Sequence, residues 1–294
     1  MTVTILDGGI SRELQRLGAT LRQPEWSALA LIETPEIVAQ VHDAFASAGA
    51  RYISTNSYAV VPFHLGQAGF DRDGARLAEL SGRLARTVAD KHGIRAAGSL
   101  PPVLGSYRPD LFEEKAARAI LPVLIEALSP FVDIWLAETL STLAEARLVA
   151  EMLSDDDRPL WLSFTLKDDG ETALRSGETV SDATRLAASL GAQAILFNCS
   201  RPEVMDAAVR EASAALDGAE MAIGVYANGF AAQAEEKEAN VDLQEIRSDL
   251  GPEAYLGWAR QWIASGASMV GGCCGIGAAH IAALAQGLAG PDHG

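Results

Sequence analysis

Short apolar runs alternate with longer amphipathic stretches along the whole chain, and this alternation limits the fold more than any other feature. Apolar residues recur every three or four positions in the longer stretches, as in helices that pack on a sheet. Strand alternating with helix predicts a parallel sheet with right-handed crossovers. Eight strands are predicted, at residues 3–6, 51–55, 96–99, 133–137, 160–165, 194–198, 221–226 and 268–272.

Eight strand–helix units in a chain of 294 residues favour one closed (β/α)8 barrel of the TIM type. An open doubly wound sheet is the competing architecture, and its phosphate-binding turn has the pattern GxGxxG. The first predicted strand runs instead into Asp7, Gly8 and Gly9, which do not match that pattern. Because no low-complexity linker divides the chain, residues 1–294 are predicted to form a single domain.

The charge of the chain excludes several classes of partner. Lys and Arg number 23 against 39 Asp and Glu, which gives a formal net charge of −16 at pH 7. A surface this acidic repels nucleic-acid phosphates and anionic lipids, so neither is an expected partner. No apolar stretch approaches the roughly 20 residues of a membrane helix, and the first residues lack the basic start of a secretory signal. We therefore expect a cytoplasmic protein.

The three cysteines of the chain, Cys199, Cys273 and Cys274, each lie just after the sixth or eighth predicted strand. Strand ends of a barrel converge on one mouth, so three thiols could meet there. Adjacent side chains of a strand point to opposite faces, so the neighbouring glycines must let the Cys pair leave extended geometry. Three thiolates suit Zn²⁺ and leave its fourth position open. Buried core cysteines, or a disulfide within the pair, are the alternatives.

Five segments together resemble the homocysteine S-methyltransferase family. They are Asp-Gly-Gly at 7–9, Thr-Asn-Ser-Tyr at 55–58, Glu-Thr at 138–139, Asn-Cys at 198–199 and Gly-Gly-Cys-Cys-Gly at 271–275. The resemblance extends over about residues 4–287 and is most specific in the two cysteine segments. It implies a (β/α)8 barrel in which Cys199, Cys273 and Cys274 hold Zn²⁺.

Two segments depart from the family pattern. Ile-Gly-Ala at 276–278 stands where members commonly have Thr-Thr-Pro, which affects the cap of the last helix. Ser-Leu-Pro-Pro at 99–102 replaces a Gly-Pro-rich segment, which leaves the donor pocket less defined.

The resemblance implies a methyltransferase that moves a methyl group from a sulfonium donor, S-methylmethionine or S-adenosylmethionine, to the thiolate of homocysteine, giving methionine. A free thiol with a pKa near ~8.5 is mostly protonated at neutral pH, and coordination to Zn²⁺ deprotonates it. A sulfonium leaves as a neutral thioether, so no general acid is needed. Betaine as donor, a methylfolate with a corrinoid partner, and a noncatalytic zinc-binding barrel are the alternatives.

The ammonium group of an amino acid requires an anionic partner, for which Glu138 and Asp7 are the candidates. The resemblance favours Glu138, with Asp7 close by. An ion pair with a neighbouring arginine is the alternative for Glu138. A cap on the helix that begins near Ile10 is the alternative for Asp7.

Four further residues are predicted to bind substrates. Asn56 and Ser57 are expected to hydrogen-bond the substrate, unless they only hold a buried polar turn. Tyr226 and Asn228 are expected to line the donor pocket, with ordinary loop packing as the alternative. A long loop over residues 228–251 is a candidate lid or substrate wall. A homodimer is a further possibility that the sequence leaves open.

Overall fold

A computed structural model describes residues 3–230 and 246–289 of the chain. Within these two ranges, no helix combines the length and the apolar character needed to cross a lipid bilayer. The predicted loop over 228–251 lies mostly outside the described residues.

Strands and helices alternate through the described part of the chain. The strands are β1 (Thr4–Ile5), β2 (Tyr52–Ser54), β3 (Arg95–Leu100), β4 (Ile134–Leu140), β5 (Leu160–Phe164), β6 (Ala194–Asn198), β7 (Ala222–Tyr226) and β8 (Met269–Val270). The helices are α1 (Ile10–Arg16), α2 (Ala28–Glu33), α3 (Pro35–Ser47), α4 (Pro62–Leu65), α5 (Gln67–His92), α6 (Glu114–Leu128), α7 (Leu143–Met152), α8 (Val180–Ser189), α9 (Pro202–Ala215), α10 (Pro252–Ala264) and α11 (Ala278–Leu288). Each strand overlaps its predicted range.

The eight strands form one parallel sheet that closes on itself. Their order is β1-β8-β7-β6-β5-β4-β3-β2. The two outer strands meet where Leu6 forms a parallel bridge with Tyr52, and the N–H of Arg51 donates to the carbonyl of Ile5 at 2.7 Å. This is the (β/α)8 barrel that the sequence predicts, so the predicted fold class is confirmed. The assignment of residues 1–294 to one domain stays a prediction.

Two apolar layers support the barrel. The larger layer lies between the sheet and the surrounding helices. The smaller layer fills the barrel interior and includes Leu136, Leu196, Trp161 and Tyr226. The rings of Trp161 and Tyr52 lie 4.6 Å apart between centroids in this interior. Because Tyr226 ends β7, this packed interior forms the floor beneath the strand ends.

Local chemistry sets several helix boundaries. Helix α5 ends at His92 and is capped by Gly93, whose φ of +63° is in the left-handed region that glycine adopts without strain. Helix α7 begins with a capping box in which the N–H of Glu145 donates to Oγ1 of Thr142 at 3.1 Å. The N–H of Thr142 donates in return to Oε2 of Glu145 at 2.9 Å. These caps fix where the helices start and stop around the barrel.

Candidate metal and substrate site

The three thiols lie together at the carboxyl ends of β6 and β8. The Sγ atoms of Cys199, Cys273 and Cys274 are all within 4.8 Å of one another, and those of the adjacent pair are 4.0 Å apart. Tetrahedral zinc has Zn–S bonds of about 2.3 Å, which places its sulfur ligands roughly 3.8 Å apart. The observed spacing therefore fits a three-thiolate metal site.

The ionisation of the thiols also favours a cation. Hydrogen bonding with Cys199 and Cys274, together with burial, raises the pKa of the Cys273 thiol well above its usual value. Three thiols at this distance cannot all ionise side by side without a compensating positive charge. The donor set therefore has the chemistry of a site for a soft divalent metal.

The turn after β6 places Cys199. Its φ of +51° is left-handed, which is uncommon for a residue with a Cβ atom. Thr139, which follows Glu138 on β4, has a similar φ of +61°. Asn198 joins these two turns, because its Oδ1 accepts the N–H of Thr139 at 3.0 Å and its Nδ2 donates to Oγ1 of Thr139 at 2.8 Å. One buried amide thus holds the turns that carry Cys199 and Glu138.

The turn after β8 places the adjacent cysteine pair. The N–H of Gly272 donates to the carbonyl of Asp7 at 2.9 Å, and the N–H of Cys273 donates to the carbonyl of Ala227 at 2.9 Å. Gly275 then adopts a φ of +84°. The chain has left extended geometry here, as the sequence requires for both thiols to reach one point.

A pocket of about 780 Å³, which includes its open mouth, lies above the thiols. Its size is in the range of small-molecule sites. Its walls contain the three cysteines, two acids, four aromatic residues and several small polar groups. The lining residues are Asp7, Gly8, Gly9, Ile10, Ser11, Trp26, Ser27, Ser54, Thr55, Asn56, Tyr58, Ser106, Tyr107, Glu138, Thr139, Cys199, Tyr226, Gly272, Cys273 and Cys274.

The charge of this lining is one-sided. It contains the carboxyl groups of Asp7 and Glu138 and three thiols, whereas none of the described lining residues is Lys, Arg or His. A pocket with this composition favours cationic ligands over anionic ones. Aromatic faces in the same wall add to that preference.

Glu138 lies at the pocket wall, where two hydroxyl groups contact its carboxyl. Oγ of Ser99 donates to Oε1, and the phenol of Tyr226 donates to Oε2 at 3.3 Å. Burial raises the pKa of Glu138 to about 7. Among the described residues no arginine pairs with it, so the geometry leaves the carboxyl available to the pocket.

Asp7 lies near Glu138 at the end of β1. Its Oδ2 accepts the N–H of Ser54 at 2.7 Å, and its Oδ1 accepts the Ser54 hydroxyl at 3.2 Å. Burial raises the pKa of Asp7 to about 7. The residue does not cap α1, because Gly9 occupies the N-cap position and no side chain caps it.

The two candidates after β2 have different environments. Asn56 lines the pocket, its Nδ2 donates to the carbonyl of Ser27 at 3.1 Å, and its buried Oδ1 has no hydrogen-bond partner. Ser57 is fully buried and does not line the pocket. Its hydroxyl donates to the carbonyl of Ser99 at 2.7 Å and lies 2.8 Å from that of Thr55. Ser57 therefore occupies the buried polar turn that the sequence left as its alternative.

The two candidates after β7, Tyr226 and Asn228, also have different environments. Tyr226 lines the pocket and reaches Glu138, as described above. Asn228 is buried outside the pocket lining, and its Oδ1 accepts the N–H of Phe230 at 3.1 Å. Its N–H donates to the carbonyl of Ser200. Asn228 thus packs in its own loop, while Tyr226 faces the site.

Three aromatic residues of the pocket wall were not predicted as site residues from the sequence: Trp26, Tyr58 and Tyr107. Tyr58 stands inside a recognised motif, and its hydroxyl bonds that of Ser106. Tyr107 lies beside the thiols, and burial followed by the charges of Cys199 and Cys274 raises the pKa of its phenol well above 10. A strand-end position could have singled out Tyr58, but loop residues such as Trp26 and Tyr107 carry no periodic signal.

The fold and the site together define a class of protein: a (β/α)8-barrel enzyme that gathers three thiols and two carboxyl groups at the mouth of the barrel. The sequence model of the homocysteine S-methyltransferase family matches residues 4–288. The chain belongs to this family.

Individual relatives cover almost the whole chain. Homocysteine S-methyltransferase 1 of Brassica oleracea var. italica is 30% identical over 97% of this chain and 93% of its own length. A selenocysteine methyltransferase of Astragalus bisulcatus is 28% identical over 92% of this chain and 88% of its own. The metallated form of the homocysteine methyltransferase MmuM from Escherichia coli superposes with a TM-score of 0.80, at 29% identity, over 97% and 96% of the two chains.

These comparisons confirm the predicted family, the predicted barrel and the predicted enzyme class, a methyltransferase. The prediction of a metal-binding site is supported, while zinc as the metal remains a prediction. Three thiols are placed to hold a metal ion, and a similar structure is described as metallated.

Proposed function

We propose that this protein is a zinc-dependent enzyme that transfers a methyl group from a sulfonium donor to homocysteine and so produces methionine. The observation that carries the proposal is the placement of three mutually close thiols in one pocket with two carboxyl groups and no basic lining residue among those described. Family membership independently supports homocysteine as the acceptor.

Cys199, Cys273 and Cys274 would hold the zinc. Bound there, zinc would lower the pKa of a substrate thiol, so that the thiol would be available as a thiolate near neutral pH. The protein's own part is positional. The strained turn at Cys199 and the glycine-flanked turn at Cys273 and Cys274 set the three sulfurs before any substrate arrives.

Glu138 and Asp7 would bind the ammonium group of homocysteine. Both carboxyl groups line the pocket, and hydroxyl donors fix each of them: Ser99 and Tyr226 for Glu138, Ser54 for Asp7. A bound ammonium group favours the ionised form of a carboxyl group whose pKa burial has raised to about 7.

Asn56 is proposed as a further contact to the same ammonium group. Its amide is oriented by the hydrogen bond from Nδ2 to Ser27, so the buried atom without a partner is the acceptor, Oδ1. A buried acceptor without a partner is costly, and an ammonium N–H would satisfy it.

The acidic, aromatic pocket supports a cationic methyl donor such as S-methylmethionine or S-adenosylmethionine. In the transfer, the acceptor sulfur forms a bond to the methyl carbon while the bond from that carbon to the donor sulfur breaks. The electron pair of the broken bond stays on the donor sulfur, which leaves as a neutral thioether. Methylfolates are anionic, so this pocket disfavours them.

A donor panel tests the proposal. Purified protein and homocysteine are incubated anaerobically with S-methylmethionine, S-adenosylmethionine, betaine or methyltetrahydrofolate, and methionine is quantified. We expect product with at least one sulfonium, and absence of product with both would contradict the proposal. Product from betaine or methyltetrahydrofolate alone would favour those alternatives. Inactivity with every donor, at full metal content, would favour a noncatalytic zinc-binding barrel.

Selenocysteine is the second candidate acceptor, because relatives at 28% and 27% identity are named as selenocysteine methyltransferases. It differs from homocysteine by one methylene group and by the acidity of its selenol. Comparing kcat/KM for the two acceptors with the same donor decides between them. We expect homocysteine to be preferred.

A further inference from the structure

The loop that follows β5 carries a largely buried ion pair, whose arginine contacts a residue of the pocket wall. Parallel β5 ends at Phe164, and antiparallel bridges Leu166–Leu174 and Ala173–Thr179 fold the loop back on itself. Within it, Nη2 of Arg175 lies 2.8 Å from Oδ2 of Asp168, and the two side chains are only 17% and 6% exposed. An ion pair this buried holds its members in fixed positions far better than a surface pair does.

Asp168 also ties this loop to the turn that bears Cys199. Its Oδ1 accepts the N–H of Arg201 at 2.9 Å. Oγ of Ser200 accepts the N–H of Leu166 at 2.8 Å in the same region. The position of Arg175 is therefore set relative to a thiol of the site.

Arg175 stacks on Tyr107. Its guanidinium carbon lies 4.9 Å from the centroid of the Tyr107 ring, which is a cation–π arrangement. Tyr107 has a φ of +62°, a conformation that costs free energy for an aromatic residue and persists only where the surroundings fix it. Tyr107 also lines the pocket, together with the three cysteines.

We propose that Arg175, held by Asp168, is a positioning residue that keeps the Tyr107 ring in place as the wall covering the three thiols. The planar guanidinium supports the ring through its face, and the ion pair prevents the guanidinium from leaving. Without this support, the strained loop conformation at Tyr107 relaxes and the three thiols become more accessible to solvent than they are in the wild-type protein. A consequence for turnover, which rests on the proposed function, is weaker binding of the methyl donor.

The three cysteines of the chain all belong to the site, so a thiol reagent reports on it without background. The rate of modification by DTNB is measured in the presence of a chelator, so that the thiols of every variant are unligated. We expect Arg175→Ala and Tyr107→Ala each to raise this rate at least 5-fold. The double variant should react no faster than the faster single variant, since both remove the same wall.

Arg158 offers a matched control at the opposite end of β5. It pairs with Asp156 at 2.5 Å and stacks 4.8 Å from the ring centroid of Trp135, but it does not line the pocket. Arg158→Ala should leave the rate within twofold of wild type. If Arg175→Ala does not fold, Arg175→Lys replaces it, because lysine keeps the charge but lacks the planar group. We expect Arg175→Lys to raise the rate at least 2-fold.

A rate for the folded Arg175 variant that equals that of Arg158→Ala overturns the proposal. The kinetic consequence is a KM for S-methylmethionine about 10-fold higher in Arg175→Ala, with kcat within threefold. Equal KM values for S-methylmethionine in Arg175→Ala and in wild type would overturn the role of Arg175 in donor binding. A wild-type protein that makes no methionine would instead contradict the proposed function, and the thiol rates would still decide the role of Arg175.

Discussion

At the scale of single residues, Glu138 is the most direct test of how the amino acid binds. We expect Glu138→Gln to raise the KM for homocysteine about 10- to 100-fold, because a charge-assisted hydrogen bond to the ammonium group is replaced by a neutral one. The change in kcat should be small. Steady-state kinetics with varied homocysteine measures both constants.

Glu145 provides the control for that substitution. Its carboxyl group is also buried, with a pKa that burial raises to about 7, but it belongs to the capping box of α7 and does not line the pocket. Glu145→Gln should therefore lower stability and leave the KM within twofold. A KM unchanged in Glu138→Gln would reject the ammonium-binding role.

His42 predicts a pH dependence of stability that is independent of the site. The side chain is fully buried on α3, neither ring nitrogen has a hydrogen-bond partner, and burial lowers its pKa from 6.5 to about 4. In the unfolded chain the imidazole of His42 becomes protonated below about pH 6.5. In the folded protein the same group becomes protonated only near pH 4. The contribution of neutral His42 to the free energy of unfolding is therefore fully present above pH 6.5, and it is lost as the pH falls from 6.5 toward 4.

As the pH falls from 7 to 5, the free energy of unfolding of wild type should fall by about 2 kcal/mol relative to that of His42→Leu. Urea unfolding at both pH values measures the difference. The site carboxyl groups are present in both proteins and cancel in the comparison. Identical pH profiles for the two proteins would show that His42 does not titrate as described.

The metal-site residues were predictable because cysteine is rare in this sequence. Three cysteines at two strand ends left few arrangements, and the structure brings all three together. Side-chain direction was not predictable. Ser57 and Asn56 are neighbours in one motif, yet Asn56 faces the pocket and Ser57 turns toward the carbonyl of Ser99. Both residues lie in the turn after β2, where the direction of each side chain depends on contacts that are distant in sequence, such as the one between Ser57 and the carbonyl of Ser99.

At the scale of elements, the turn after β8 should tolerate no side chain at Gly272. A Cβ atom built there would lie 2.1 Å from Cγ2 of Ile276, which is fully buried. We expect Gly272→Ala to cost about 1–3 kcal/mol of stability through overpacking and to weaken zinc binding by moving Cys273. Urea unfolding and a zinc titration measure the two effects.

Gly257 is the matched control, because a Cβ atom there meets nothing within 4 Å. It lies inside α10, so Gly257→Ala should raise stability by about 0.5–1 kcal/mol through helix propensity and leave zinc binding unchanged. Equal zinc affinity in Gly272→Ala and Gly257→Ala would contradict the role given to this turn.

Strands were predictable because their apolar runs are local and because glycine or a polar cluster bounds each of them. Helices α1, α2 and α4 were harder to predict from the sequence, since they contain only seven, six and four residues. Helices this short are stabilised mainly by tertiary contacts rather than by their own propensity. The left-handed turn at Tyr107 was not predictable either, because its contact Arg175 lies 68 residues further along the chain (175−107 = 68).

At the scale of the whole molecule, zinc should stabilise the folded barrel against heat. The ligands come from β6 and β8, so they are assembled only in the folded chain. A ligand present at 1,000 times its Kd adds about 4 kcal/mol, which for a chain of this size raises the Tm by roughly 6 °C.

Thermal scans with zinc and with a chelator measure this shift. The variant with Cys199, Cys273 and Cys274 replaced by serine should show no zinc-dependent change. A shift of similar size in that variant would place the stabilising zinc elsewhere on the molecule.

The whole-molecule architecture was the most predictable level, because eight alternations of strand and helix in a parallel sheet leave closure as the main solution. The pocket was predictable as a location, at the carboxyl ends of the strands, but its walls were not. Trp26 and Tyr107 enter from loops whose paths are set by packing across the barrel mouth.

Elemental analysis of anaerobically purified protein, paired with the activity of the same preparation, tests whether the three thiols hold a zinc ion that methyl transfer requires. We expect about one zinc per chain, and loss of both zinc and methionine formation when serine replaces Cys199, Cys273 and Cys274. Wild-type protein with no stoichiometric metal, together with turnover that survives the triple replacement, would contradict this expectation.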